Sequence, residues 1–379
     1  MLKSQELFSP GVPHGWAAMT DSQSAVLIRE LADGGFRSGE RLADLLGVSR
    51  AAVWKRIRTI GRETGLSIHA VRGKGYRLAE PLELLDADRI AEEIRNASSY
   101  TPGVEVHSSL ASTSSYLAAR LDDLDGSTIC FAEHQTAGRG RRGREWVSPY
   151  GANLYFSVHH RFSLAMQELG GLSLAVGAAV AQVLSAYVPQ VSLKWPNDLL
   201  VDGRKLAGIL VDVHGLADGP VDTVIGIGLN VAMPTHKAET IDQPWTDLQQ
   251  LVQQRPSRNR LASELSIAVL AVLGEFSGSL NPASLAAWRR FDAWHGKPVV
   301  LVRGSHSFCG IHAGIADDGS LRLDVDGGDP YAIPPDNPFI AETRTISPMV
   351  PTASPPRRPP IQTWNIRYRS SAIRLSDRG

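Results

Sequence analysis

The sequence predicts an α+β protein of several parts, and three observations carry that prediction. Its 379 residues exceed one ordinary domain, since chains divide at roughly 100 to 200 residues per domain. Beyond Glu80 and Pro81 the apolar spacing changes, and strand-like runs begin to alternate with helical ones, the mark of a mixed core. Charge is also uneven: residues 24–80 carry 11 basic and 6 acidic side chains, residues 81–343 carry 20 and 30, and residues 344–379 carry 7 and 1. A basic front on an acidic body fits nucleic-acid contact by the front alone, because phosphate neutralisation needs local Lys and Arg. A merely solvated face gives the same count.

With 43% hydrophobic and 21% charged residues the chain buries enough apolar surface to offset ordering its backbone, which excludes wholesale disorder. Cys130 and Cys309 lie far apart with no CxxC pair, so neither a disulfide framework nor a thiolate zinc site is expected, and a reducing cytoplasm fits. Phe8, Pro10, Gly11, Pro13, His14 and Gly15 stand where a secretory peptide needs a continuous apolar run, so no export signal is expected. Residues 172–188 are apolar but broken by Ser173, Gln182 and Ser185, which suits an interior helix and not a membrane span.

In residues 24–80, Val26, Leu27, Leu31 and then Leu42, Leu45, Leu46 recur at helical spacing. Ser24 and Ser38 stand as N-caps, with Gly34, Gly35 and Gly47 as terminators. Ser49 caps a third helix, RAAVWKRIRTI, in which Val53, Ile57 and Ile60 share one face while Arg50, Lys55, Arg56 and Arg58 remain free. LSIHAV and YRL then flank Arg72, Gly73, Lys74 and Gly75, a β-hairpin with a cationic tip that suits phosphate or the minor groove. The pattern is a winged helix-turn-helix, with Ser49, Arg50, Trp54, Lys55, Arg56, Arg72 and Lys74 as candidate DNA contacts. A small winged helix used for protein contact reads the same way.

The central segment carries the chemistry. Strands are expected at TICFAEH from Thr128, NLYFSVHH from Asn153, LAGILVDV from Leu206 and TVIGIG from Thr223. Helices are expected over residues 116–121, 172–188, 261–276 and 282–294. Between the first two strands lies GRGRRGR, residues 138–144, which is a loop because three glycines interrupt four arginines. Its backbone amides and guanidinium forks suit a phosphate or an acyl phosphate; an RNA-contacting RG segment is the competing reading. Lys194, Trp195, Pro196, Asn197, Asp198 precede a short strand, and Arg204, Lys205, Leu206, Ala207, Gly208 open the next. A hairpin there folds Lys194 and Lys205 toward one anion, although either lysine alone is more often a solvated charge and Asp198 an ordinary turn residue. Gly226, Ile227, Gly228, Leu229 and Asn230 end a strand where a flat ligand can lie against backbone, or where a bulge sits. No Ser/His/Asp order, HExxH or GxxxxGK[ST] loop is present, and no metal-ligand set is expected.

Together, EHQTAGRGRRGREWVSPYGANLYFS, LKWPNDLLVDGRKLAGILVD and VIGIGLNV resemble the central domain of biotin protein ligases. GERLADLLGVSRAAVWKRI and RGKGYRL are similar to the winged helix of the bifunctional class, in which the ligase also represses the biotin operon. The resemblance covers about residues 24–330. It implies a central domain of class II aminoacyl-tRNA synthetase-like fold and a small C-terminal SH3-like β-barrel, whose strands match PVVLVRG, FCGIHAGI and SLRLDV. The implied domains are an extension at 1–23 expected to be disordered, the winged helix at 24–80, the ligase at 81–294, the barrel at 295–340, and a Pro-rich basic tail at 341–379 expected to be disordered.

The implied activity uses ATP, Mg2+ and biotin to form biotinyl-5'-AMP and then biotinylates a lysine of a biotin carboxyl carrier protein. The same resemblance assigns Ser112, Thr113, Gln135, Gly138, Arg139, Arg141, Lys205, Gly208 and Gly228 to biotin. It assigns Arg139, Arg141, Arg142, Arg144, Trp146, Asn197 and Asn230 to the nucleotide, with Trp146 on the adenine side, and Arg141, Lys205, Lys194 and Asp198 to catalysis. A homodimer ordered by the adenylate and bound to operator DNA of the biotin genes is also implied, in the cytoplasm and away from membranes. A non-catalytic biotin-sensing regulator and a lipoate-type ligase are the alternatives. Two departures stand out: Ser114 and Ala111 replace the usual Asn and acidic residue beside the Ser-Thr pair, and the closing strand expected after Gly328 is absent from the pattern. A frameshifted or extended terminus, and Met19 in place of Met1 as the natural start, are the expectations attached to the two ends.

Overall fold

The computed structural model describes residues 23–216, 219–303, 306–325, 331–333 and 344–348. The two ends expected to be disordered lie outside the described residues, save for Gln23 and residues 344–348.

Three helices, α1 (Gln23–Leu31), α2 (Gly39–Leu46) and α3 (Arg50–Thr64), precede a hairpin of β1 (Ile68–Val71) and β2 (Gly75–Leu78). The local signals act as read: Ser38 Oγ accepts from Arg41 N at 3.1 Å, Ser49 Oγ accepts from Ala52 N at 3.2 Å, and Gly47 closes α2 in the left-handed region at φ 63°. Ser24 differs from expectation. It lies inside α1, buried against the core, not at a position before the helix. Leu27, Ile28, Leu31, Leu42, Val53, Ile57, Ile60 and Leu78 form the core of this part. The wing is stitched to Arg37 by two backbone bonds to Tyr76, both 2.8 Å. Gly75 is required there, because at φ 101° a Cβ would lie 2.0 Å from the Arg37 carbonyl oxygen.

The central sheet has seven strands: β3 (Gly103–His107), β4 (Thr128–Ala132), β5 (Leu154–Phe162), β6 (Ser192–Lys194), β7 (Asp198–Val201), β8 (Arg204–Gly215) and β9 (Val221–Leu229). Their order is β3-β4-β5-β9-β8-β7-β6, with β3 and β4 parallel and the other pairs antiparallel. The helices of this part are α4 (Ala87–Ala97), α5 (Thr113–Ala118), α6 (Leu172–Ser185), α7 (Thr235–Ala238), α8 (Leu248–Leu251), α9 (Arg258–Glu275) and α10 (Pro282–Phe291). The stretch Met166–Ser185 is long and apolar enough to cross a membrane by composition. Leu172, Leu174, Val176, Val180 and Leu184 of α6 are nevertheless fully buried in the protein core.

Residues 81–86 join the two parts through a polar clamp. The Glu83 carboxylate accepts from Arg258 N at 2.7 Å and Asn259 Nδ2 at 3.0 Å, and Arg258 pairs with Glu133 at 2.8 Å with both side chains almost fully buried. Tyr150 of the central part is buried within the winged-helix core and bonds Ser108 Oγ at 2.9 Å.

The C-terminal part corrects the sequence reading. β10 (Pro298–Arg303), β11 (His306–Ile315) and β12 (Leu321–Asp324) are joined by β13 (Tyr331–Ile333) and β14 (Arg344–Pro348) in the order β13-β12-β11-β10-β14. Strands therefore do follow Gly328, and the division at 340/341 falls inside this sheet. Backbone ladders need no special side chains, so β14 pairs with β10 from Val299–Pro348 to Arg303–Arg344 even though its Pro-rich surroundings hide it. This is a small antiparallel sheet whose β13 and β14 are not paired to each other among the described residues. Its Val299, Leu301, Leu321 and Leu323 share the core of the central part.

Candidate active site and nucleic-acid interface

A cleft of about 380 Å³ opens over β8 and β9. Its floor is open at glycines, because Gly208 and Gly228 face each other across the two strands and Gly226 precedes Gly228 on β9. The Trp146 indole lies on this floor: a Cβ on Gly228 would stand 2.3 Å from its Cε2, and one on Gly208 3.1 Å from its Cζ3. Glycine is needed at Gly228 for that close approach. Trp146 Nε1 is buried with no hydrogen-bond partner among the described residues, a donor left for a ligand acceptor.

One wall is the N-terminus of α5. Thr113 N donates to Gln135 Oε1 at 2.9 Å, and Gln135 Nε2 donates to Ser148 Oγ at 3.0 Å, so Ser112, Thr113 and Gln135 form one polar edge of the cleft. Ser114 is buried and bonds Ser157 Oγ at 2.9 Å, close enough to Gly226 that a Cβ there would meet it at 2.6 Å. The departure at this position is thus absorbed by a local hydroxyl pair.

The opposite wall holds the cations. Lys205 Nζ sits 2.8 Å from Asp198 Oδ1 and 5.3 Å from the Trp146 ring centroid. Asn197 Nδ2 donates to Ile209 O at 2.7 Å while its Oδ1 accepts from Arg141 Nη1 at 2.8 Å. Arg139 reaches Asp212 at 3.3 Å, and Arg142 and Arg144 complete the lining. Burial, then repulsion from Arg144, lowers the Arg142 guanidinium from its ordinary value. Burial also lowers the proton affinity of Lys194, against the opposing pull of Asp198. Adjacent, partly desolvated cations facing one cleft form an anion site.

Thus the sequence-predicted Ser112, Thr113, Gln135, Arg139, Arg141, Arg142, Arg144, Trp146, Lys194, Asn197, Asp198, Lys205, Gly208, Gly228 and Asn230 all line one cleft. Gly138 does not. Its carbonyl accepts from Trp146 N at 2.9 Å, and a Cβ there would strike Trp146 O at 2.4 Å, so it forms the neck of the loop. Asn230 Nδ2 donates to Thr246 O at 3.1 Å, which ties down the segment that follows. That segment brings in lining the sequence reading missed: Thr240, Ile241, Asp242, Gln243 and Trp245. Its anchor is backbone, with Lys205 N donating to Pro244 O and Thr246 N to Lys205 O, both at 2.9 Å. The available signal was Ile241 and Trp245 set in the largely polar run of residues 239–247.

On α3, Arg50, Trp54, Lys55 and Arg58 are exposed, and Arg72 and Lys74 are exposed at the wing tip. The Arg58 guanidinium stacks 4.9 Å from the Trp54 ring. Arg56 is not the free cation that the helical pattern implies: it is half-buried and donates to Gln23 Oε1 at 2.7 Å, linking α3 to α1. The Ser49 hydroxyl is likewise engaged by its cap.

A model of the biotin/lipoate A/B protein ligase family matches residues 106–230, and a model of an HTH domain matches residues 23–77. The bifunctional ligase/repressor BirA of Salmonella typhimurium is 42% identical over 302 residues, 79% of this chain and 92% of that relative. The chain belongs to the biotin/lipoate A/B protein ligase family. BirA of Escherichia coli is 41% identical over the same shares, and the biotin–acetyl-CoA-carboxylase ligase of Mycobacterium tuberculosis is 37% identical over 260 residues, 66% of this chain and 93% of that relative. In fold, the chain is similar to a biotin protein ligase from Aquifex aeolicus in complex with biotin and ATP, with a TM-score of 0.53, 24% identity, and coverage of 65% of this chain and 99% of that one. The family match spans Ser112 to Asn230, whereas Ile241, Gln243 and Trp245 lie beyond it.

Proposed function

We propose that the cleft activates biotin with ATP and transfers it to a lysine of a biotin carboxyl carrier protein, and that the winged helix uses the adenylate state to repress biotin genes. The observation that carries this reading is the convergence of Lys194, Lys205 and the GRGRRGR arginines above a glycine floor. The chain is on this reading an ATP-dependent, AMP-forming ligase. In the first step a biotin carboxylate oxygen attacks the α-phosphorus, the bond to the β-phosphate oxygen breaks, and pyrophosphate leaves. In the second, the carrier amine attacks the acyl carbon, its bond to AMP breaks, and the amine gives up a proton. Charge accumulates at the α-phosphate in the first step, where Lys205, Lys194, Arg139, Arg141, Arg142 and Arg144 stabilise it by preorganised attraction. Asp198 holds Lys205 and can accept a hydrogen bond from the incoming amine.

Thr113 and Gln135 suit the polar head of biotin; Gly208 and Gly228 let the ligand approach backbone; Trp146 and Trp245 supply flat apolar surface to ring systems. Among the described residues no three His, Cys, Asp or Glu side chains gather into a metal cage. Mg2+ would be held in part by the nucleotide's phosphate oxygens, whose charge it neutralises. The intact Lys205–Asp198 pair favours a ligase over a mere biotin sensor.

On the DNA side, Arg50, Lys55, Arg58, Arg72 and Lys74 meet phosphates, and Trp54 lies against the groove. The adenylate promotes a twofold homodimer that sets two winged helices on a palindromic operator. The small C-terminal sheet corresponds to an SH3-like barrel, and the chain acts in the cytoplasm. A gel shift on the chain's own upstream biotin-gene region, with and without biotin and ATP, tests the repressor half, and biotin transfer to a carrier domain tests the ligase half. An adenylate-independent shift, or none, removes the repressor reading; absence of transfer removes the ligase reading.

A further inference from the structure

Lys194 ends β6 at the cleft wall, yet its side chain makes no hydrogen bond or ion pair among the described residues. The nearby carboxylate of Asp198 is held by Lys205 at 2.8 Å. The Lys194 ammonium lies instead 5.4 Å from the centroid of the Trp294 ring, within the range of a cation–π contact.

Trp294 is firmly held. After α10, residues 292–294 run beside β6, with Ala293 N donating to Leu193 O at 2.9 Å and a parallel bridge between Leu193 and Asp292. Asp292 in turn accepts from Trp294 N at 3.0 Å and lies 2.9 Å from Nε2 of His312 on β11, both side chains almost fully buried. On the other side of Lys194, Trp195 Nε1 donates to the Gly319 carbonyl at 3.2 Å. The C-terminal sheet thus grips the residue after Lys194 and the ring beneath its ammonium.

We propose that Trp294 is a positioning residue for the adenylation step, holding the Lys194 ammonium charged and aimed into the cleft, so that the C-terminal sheet acts on the reaction through this ring. The role in adenylation rests on the function proposed above; the hold on Lys194 does not. The charged groups acting most strongly on Lys194 are Asp198 from β7, Lys205 from β8, and Arg144 and Arg142 from the loop, and of these only Asp198 favours the ammonium while burial and the three cations oppose it. The quadrupole of an indole face supplies the missing attraction without bringing a competing negative charge to a phosphate site. Neutral Lys194 would lose its attraction for a phosphate oxygen.

The test is trace acetylation of the full chain with acetic anhydride across pH 6 to 11, read at Lys194 by peptide mass spectrometry, for the natural protein, Trp294→Phe, Trp294→Leu and His312→Gln. The expected result is a Lys194 midpoint lower by about half to one pH unit in Trp294→Leu, a three- to tenfold fall in proton affinity. Trp294→Phe restores most of it. His312→Gln, which loosens Asp292 but keeps the indole, moves Lys194 in the same direction by less and serves if Trp294→Leu does not fold. Unmoved Lys194 midpoints in the folded variants overturn the inference. Biotin-dependent pyrophosphate exchange is run alongside, and its pH 9 to pH 7 rate ratio falls in Trp294→Leu; an unchanged ratio overturns the link to catalysis. Absence of exchange in the natural protein refutes the adenylation reading and with it that link, while the labelling still decides whether Trp294 holds Lys194.

Discussion

Replacing Lys205 by Ala removes the cation that stands at once over the Trp146 ring and 2.8 Å from Asp198. Both side chains of the pair are only 16% exposed, so screening by water is incomplete. A unit charge about 4 Å from a phosphate oxygen is worth about 4 kcal/mol at an effective dielectric constant near 20, and only the part that grows toward the transition state accelerates the reaction. Loss of one preorganised donor costs about 3 to 4 kcal/mol, or roughly 100- to 1,000-fold in kcat. The fold suffers less. Breaking a fully buried pair costs about 3 to 5 kcal/mol, but Asp198 here keeps Lys194 as a nearby cation, so about 1 to 2 kcal/mol of stability should go. The assay is biotin-dependent exchange of labelled pyrophosphate into ATP, with kcat and KM measured separately and a thermal melt on the same preparation. A folded Lys205→Ala protein within threefold of the natural kcat would refute the role assigned to this lysine.

Other perturbations separate the two parts of the chain. Gly75→Ala places a Cβ 2.0 Å from the Arg37 carbonyl, so the wing must break from its backbone partner; operator binding should fall at least tenfold in a gel shift while biotin transfer is unchanged. Lys55→Ala should reduce the slope of log affinity against log salt by about one, as expected for one phosphate contact. Arg56→Ala, which loses the bond to Gln23, should instead lower stability by about 1 kcal/mol and leave that slope alone. Glu83 gives a pH signature. Burial raises its carboxyl, but hydrogen bonds from Ser257, Asn259 and Arg258 outweigh this and hold it below the ordinary glutamate value. A depressed folded-state pKa means that its stabilisation is complete above the unfolded value, about 4.3, and drains away as pH falls through the folded value. Melting temperature should therefore fall less steeply below about pH 4.5 in Glu83→Gln than in the natural protein; parallel curves would contradict this.

The winged helix was legible because its signals are local. A serine three residues before the amide it caps and a glycine in a left-handed turn act without help from distant chain, and Ser38, Ser49 and Gly47 do so. The cleft was legible for a related reason: glycines and cations crowd into short runs, and a hairpin brings Asp198 opposite Gly208. What escaped depends on partners far away in sequence. Arg56 reads as a free cation until Gln23, 33 residues earlier, is found to hold it. Helix α4 carries only Ile90 and Ile94 as buried side chains, too few for a clear period, and packs on α9 far downstream. Strand β14 joins β10 through backbone bonds, which leave no side-chain pattern to read. Trp245 enters the cleft only because its segment bonds the backbone of Lys205.

The most direct measurement is pyrophosphate exchange into ATP by the full chain, with biotin and lipoate tested in parallel. Exchange that requires biotin and ignores lipoate is the predicted result, since it isolates formation of the adenylate in the cleft of Lys205 and Gly228. Exchange with lipoate alone, or none with either acid, would contradict the central claim that this cleft activates biotin.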